Sequence, residues 1–113
     1  MNASQAADAV VYEVNVEADV EIAAAYRAWL REHIAEILGL PGFVDARTFE
    51  VLDPPPAAGR IALCVQYRLT DDAALDAYLR EHAPRLRADG VARFGERFRA
   101  HRRVLREATD AAA

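Results

Sequence analysis

His33 and His82 are the side chains best suited to chemistry in this sequence. Each follows aromatic residues at helical spacing: Tyr26, Trp29 and His33 step by three and four, and Tyr78 precedes His82 by four. An imidazole titrates closer to neutrality than other side chains, so its surroundings can tune it into a base. Aromatics at that spacing line either a pocket or a core. The functional reading is a pocket of Tyr12, Tyr26, Trp29, His33, Tyr67, Tyr78 and His82 that holds a small apolar or aromatic molecule. The plainer reading is two core histidines whose ring nitrogens are satisfied by tyrosine hydroxyls or backbone groups.

Other chemistries have less to stand on. Two histidines on separate helices, with no cysteine or acid on the same stripes, do not complete a metal site, and no metal is expected. The sequence has no Gly-rich phosphate loop, no G-x-S-x-G and no H-E-x-x-H, and no cofactor is expected. Cys64 is the only cysteine, which excludes an intrachain disulfide. Its parity on its strand turns it away from the histidines, so it reads as a small buried residue and not as a nucleophile.

The elements that must position these residues follow from periodicity. Val10–Glu17 alternates, with Val10, Tyr12, Val14 and Val16 on one face, and reads as a strand. Asp19 is placed to cap a helix that runs to about Leu38 with Ile22, Tyr26, Trp29, Leu30, His33, Ile34 and Ile37 as its apolar stripe. Gly39 suits the left-handed position after the helix, and Pro41 forbids continuation. Phe43–Leu52 is a second strand. Asp53 to Gly59, with three prolines, is a stiff connection into a third, Arg60–Leu69, where Ile61, Leu63, Val65, Tyr67 and Leu69 share a face. Thr70 caps a second helix with Leu75, Tyr78, Leu79, His82 and Leu86 as its stripe. Pro84 should kink it near residue 82, and Asp89-Gly90 should end it. A last strand spans about Gly95 to Arg106, with Phe98, Ala100, Arg102 and Val104 on one face. Residues 1–9 and 107–113 read as flexible tails around one domain, 10–106.

The order is βαββαβ. Right-handed crossovers then place both helices on one face of a four-stranded antiparallel sheet, with strands one and three central: the ferredoxin-like α+β plait. The apolar sets of strands one and three must face the helices. Val11, Glu13, Asn15, Glu17, Ala62, Cys64, Gln66 and Arg68 then line the open face, together with Arg97, Arg99, His101 and Arg103.

The 113 residues carry a net charge of −4, and all 14 basic residues are arginine. Residues 1–53 hold ten acids against three arginines, whereas 54–113 hold eight acids against eleven arginines, eight of them between Arg85 and Arg106. In the plait, strand one lies beside strand four, so Glu13 and Glu17 meet the arginines of the last strand. Such cross-strand pairs contribute about 0.2–1 kcal/mol each and account for the asymmetry without a nucleic-acid partner. No run of about 18 apolar residues exists to span a membrane. Residues 1–9 lack the basic and apolar regions of a secretory signal, and a cytoplasmic location is expected.

The stretches VYEVNV (Val11–Val16), REHIAEILGLPGFVDAR (Arg31–Arg47), VQYRLT (Val65–Thr70) and Ala77–Leu105, with YLREHAPRLRADG and RFGERF, carry a resemblance. The chain resembles a small bacterial family of unknown function in the dimeric α/β-barrel superfamily, related in fold to antibiotic-biosynthesis monooxygenases. The resemblance implies a homodimer through the exposed sheet face and a pocket in each subunit between sheet and helices. It brings no established activity, though a cofactor-independent monooxygenase-like enzyme is one alternative and a non-catalytic dimerisation or binding module another. Haem-degrading members of that superfamily use an Asn, a Trp and a His. Here Trp29 is on the first helix and Asn15 is on the face turned away from the helices, so that pattern is not reproduced.

Overall fold

Apolar alternation makes the two longest strands, and they pair with each other. In the computed structural model, which describes residues 8–108, β1 (Val10–Asp19) and β3 (Arg60–Leu69) run antiparallel with Tyr12 opposite Tyr67, Val14 opposite Val65 and Val16 opposite Leu63. The two expected tails lie outside the described residues apart from residues 8–9 and 107–108. β2 (Phe43–Glu50) joins the far side of β3, and β4 (Phe98–Leu105) joins the far side of β1, both antiparallel. The sheet order is β2-β3-β1-β4. The fold is the ferredoxin-like α+β plait.

Three helices cover one face: α1 (Ala23–Leu38), α2 (Asp72–Glu81) and α3 (Ala83–Phe94). Beneath them Tyr12, Val16, Leu63, Val65, Tyr67 and Leu69 are buried against Tyr26, Leu30, Ile37, Leu75, Tyr78 and Leu86. Burying a side chain of this size contributes on the order of 1.5–3 kcal/mol, which fixes the register of the central strands. Among the described residues no helix is long and apolar enough to cross a membrane.

Several local expectations are corrected. Asp19 caps nothing with its side chain. It ends β1, a 3-10 turn over Val20–Ile22 follows, and its carboxylate accepts from Arg60 at 2.7 Å and Arg97 at 3.2 Å. Two guanidinium partners outcompete a single backbone N–H. Gly39 keeps ordinary right-handed backbone, and the positive φ belongs to Gly42, at +85°. Asp71, not Thr70, caps α2, its Oδ1 accepting from the Ala74 N–H at 2.9 Å. β2 ends at Glu50, two residues early, although Val51 N–H still bonds Ala62. The expected kink is a complete break. α2 stops at Glu81, His82 takes a non-helical conformation, and α3 starts afresh with Pro84 in its first turn, where a missing N–H costs nothing. Gly90 does not end that helix; α3 continues to Phe94, and β4 begins at Phe98.

Candidate functional site

A cavity of about 320 Å3 lies between α1, α3 and the β1–β4 half of the sheet. Tyr12, Val14 and Val16 of β1 and Val65 and Tyr67 of β3 form its floor. Tyr26, Trp29, Leu30, His33 and Ile37 of α1 form one wall. Tyr78 of α2 and Leu86, Arg87, Gly90 and Val91 of α3 form the other. Phe98, Ala100 and Arg102 of β4 close the edge, with Arg87, Val91 and Arg102 exposed at the mouth.

The rings are organised in two groups. Trp29 and His33, one turn apart on α1, stack with centroids 4.5 Å apart and planes 20° apart. The indole Nε1–H donates to Asp89 Oδ2 at 2.9 Å, which fixes the ring from outside the cavity. Tyr26 lies 5.5 Å from Trp29 and from Phe98 and 5.3 Å from Phe94. At the other end Tyr12 packs on Tyr67 at 6.1 Å and Tyr78 at 5.8 Å. Offset and edge-on contacts of this kind add to simple burial. The cavity also depends on Gly90: a Cβ there would stand 3.1 Å from Trp29 Cη2, so the missing side chain lets the indole lie against α3.

Burial sets the protonation of the site. It pushes Tyr26 and Tyr78 up to about 12 and raises Tyr67 as well. These are hydrogen-bond donors at neutral pH, not phenolates. Burial lowers His33 below the ordinary imidazole range, opposed by the charges of Glu36 and Asp89 and assisted by Arg102. His33 is therefore a neutral base. Arg87 Nη2 donates to Tyr12 Oη at 2.9 Å.

Of the seven residues singled out by sequence, Tyr12, Tyr26, Trp29, His33, Tyr67 and Tyr78 border this one cavity. His82 does not. It sits half-buried at the α2–α3 break, its N–H bonded to the Tyr78 carbonyl at 2.9 Å as the cap of α2. Periodicity does not find Gly90 or Val91, since the helix holding them is expected to end at residue 90, and it passes over Arg87 because a charged residue beside Leu86 is not part of an apolar stripe. Arg102 had a signal, its shared parity with Phe98 and Ala100, which is a charged residue on an inward face.

The open face of the sheet holds a different arrangement. Glu13 is only 3% exposed there. Its carboxylate accepts from Arg103 Nε at 2.7 Å, Asn15 Nδ2 at 2.8 Å and Gln66 Nε2 at 3.0 Å. The hydrogen bond from Arg103 does most to hold its pKa down at about 2, against the opposing effect of burial. Cys64, half-buried beside it, has its thiol raised by burial and by the Glu13 charge, which makes it a poor nucleophile. Among the described residues no group of three or more His, Cys, Asp or Glu side chains is placed to hold a metal ion.

Residues 9–108 match the family described as "Domain of unknown function (DUF4286)". The chain belongs to this family. No curated protein matches this DUF4286 chain in sequence. Solved structures share its fold. A conserved protein from Methanosarcina mazei Go1 is 15% identical, with a TM-score of 0.70 over 93% of this chain and 98% of the other. SnoaB, a cofactor-independent oxygenase from Streptomyces nogalater, is 16% identical, with a TM-score of 0.64 over 91% and 96%. Rv0793 from Mycobacterium tuberculosis is 22% identical, with a TM-score of 0.64 over 91% and 98%. At these identities the likeness is one of fold.

Proposed function

We propose that this DUF4286 chain binds a small aromatic molecule in the cavity between its helices and sheet. The observation that carries the reading is convergence. All four tyrosines of the chain, its single tryptophan and His33 border one space of about 320 Å3. The volume falls at the lower end of small-molecule sites, about 300–1,000 Å3, and mixes apolar walls with a few donors. Trp29 provides the test, because one indole gives one N–H signal in a heteronuclear NMR spectrum. Titration with 2-naphthamide or anthrone should move that signal saturably. His82→Leu should leave the titration unchanged, and His33→Leu should weaken it. No movement with either compound up to its solubility overturns the reading.

A second reading is cofactor-independent oxygenation, favoured by a neutral imidazole inside the cavity and by the fold shared with an oxygenase of that kind. His33 would take a proton from an activated ring CH2, and the carbanion would give electrons to dioxygen. The CH2 becomes C=O, and the second oxygen atom leaves as water. Oxygen uptake with anthrone that is lost in His33→Leu supports this; binding without uptake leaves a binding protein.

The same proposal takes the chain as a homodimer joined through the open sheet face. In its support, that face mixes half-buried Val11, Ala62 and Cys64 with Glu17, Arg99 and an exposed Phe49, so a second copy offers both apolar cover and opposite charge. Sedimentation equilibrium at micromolar concentration should give a dimer, and Phe49→Asp should shift it toward monomer. A wild-type monomer overturns the dimer. A free thiol at Cys64 suits the reducing cytoplasm that the reading assumes.

A further inference from the structure

The sequence has 18 acids and 14 arginines, yet among the described residues the charged side chains that border the cavity are Arg87 and Arg102, while Asp89 and Glu36 act on His33 from outside it. Among the described residues Arg103 is the one ion-paired arginine of β4; Arg99 lies on the open face of the sheet and Arg102 on the cavity face. Arg97 holds Asp19 and Glu21, Arg103 holds Glu13, and Arg106 holds Asp72. Among the described residues the Arg102 side chain has neither an ion-pair nor a hydrogen-bond partner, and the Arg87 side chain engages only the Tyr12 hydroxyl.

Topology places these two cations together. Arg102 stands opposite Val14 on the edge strand β4, on the face that carries Phe98 and Ala100. Arg102 borders the cavity and is exposed. Arg87 reaches the same mouth from α3. The positive field of Arg102 extends inward to Tyr26, His33, Tyr67 and Tyr78, where it favours negative charge. A guanidinium presents a planar fork of donors that matches a carboxylate and stays charged at any physiological pH.

We infer that the ligand is an aromatic carboxylic acid, its ring seated among Tyr26, Trp29 and Tyr67 and its carboxylate held at the mouth by Arg102 and Arg87. This rests on the aromatic-pocket reading above and adds the ligand's charge and its orientation, acid outward and ring inward. The competing view is that Arg102 merely lays its apolar stem over the cavity edge, as long cationic side chains do.

Two compounds of the same shape separate these views. Isothermal titration calorimetry of the full chain at neutral pH would compare 2-naphthoate with 2-naphthamide. The acid should bind about tenfold more tightly or better, the scale of a hydrogen bond to a charged group. Arg102→Met should abolish that advantage by weakening the acid far more than the amide, and raising the salt concentration should weaken the acid alone. Equal affinity for acid and amide in the wild-type chain overturns the carboxylate anchor but leaves the aromatic pocket standing. An advantage that survives Arg102→Met overturns the role of Arg102. Binding of neither compound overturns the pocket reading and the anchor with it. The wild-type comparison decides the anchor even if the variant fails to fold.

Discussion

Arg103 Nε stands 2.7 Å from Glu13 Oε1 across the β1–β4 pair, in the middle of the sheet face that no helix covers. The two partners differ sharply in exposure: the Glu13 side chain is 4% exposed and that of Arg103 is 63%. A carboxylate so enclosed is stable only while its donors hold it. Its folded pKa of about 2 lies below the ordinary 4.5. The stabilisation is therefore fully present above pH 4.5 and is lost as pH falls through 2. A shift of this size corresponds to roughly 3 kcal/mol at most. Glu13→Gln should cost about 1–3 kcal/mol at pH 7. Urea denaturation across pH 2–7 should show that difference shrinking toward the acid end, where the wild-type carboxyl begins to take up its proton. A difference that does not change with pH would mean that the charge contributes nothing.

Gly42 offers a sharper test of the backbone. It has φ +85°, and a Cβ built on it would lie 2.3 Å from Ala74 Cβ on α2. The Pro41-Gly42-Phe43 turn therefore touches the helix directly, and the Thr70 N–H bonds the Gly42 carbonyl at 2.9 Å. Gly42→Ala combines left-handed strain with overpacking and should cost on the order of 3 kcal/mol. Thermal or urea unfolding that moves by less than about 1 kcal/mol would contradict this close approach.

The arginines of 85–106 are mostly occupied inside the molecule. Arg85 holds Glu36, Arg93 holds Asp89, and Arg97, Arg103 and Arg106 hold acids on other elements. A nucleic acid would have to displace those carboxylates. The chain should pass through heparin without salt-dependent retention, and an oligonucleotide titration followed by anisotropy should stay flat. Tight binding that weakens steeply with salt would show that the pairs open.

The two central strands were legible because each buries one face, so period-2 alternation records directly which side meets the helices. Tyr12 and Tyr67 could be placed from that alone, and Tyr26, Trp29 and His33 from the phase of one unbroken helix. The edges were less legible. β2 has only half-buried and exposed positions, so its end at Glu50 left no hydrophobic mark. Thr70 and Asp71 are both good caps, and only the geometry selects Asp71. His82 caps α2 at the break, and no spacing in the sequence marks that the cavity wall passes from Tyr78 to Leu86 and leaves it aside. Gly90 looked like a terminator because its real reason, the edge of Trp29, is 61 residues away in sequence. Arg87 left no mark because a charged side chain next to Leu86 does not belong to an apolar stripe, although it borders the same cavity.

His33 connects the site's electrostatics to a direct measurement. Its pKa is lowered first by burial; Glu36 and Asp89 act to raise it, and Arg102 to lower it further. An NMR titration of the ring proton should give a midpoint below the ordinary 6.5. Arg102→Gln should move that midpoint up, because a nearby positive charge is removed. Asp89→Asn should move it down, because a carboxylate is removed. The consequence for stability has a definite sign. Above pH 6.5 the imidazole is neutral in both folded and unfolded chains and changes nothing. As pH falls below 6.5 the unfolded chain takes up the proton first, so this residue destabilises the fold progressively until the pH passes the lowered folded midpoint. The effect opposes folding in mild acid, where Glu13 is still fully ionised, so the two groups can be separated by pH. A His33 midpoint at or above 6.5, or one that ignores both substitutions, would mean that the imidazole is open to water and does not face the cavity.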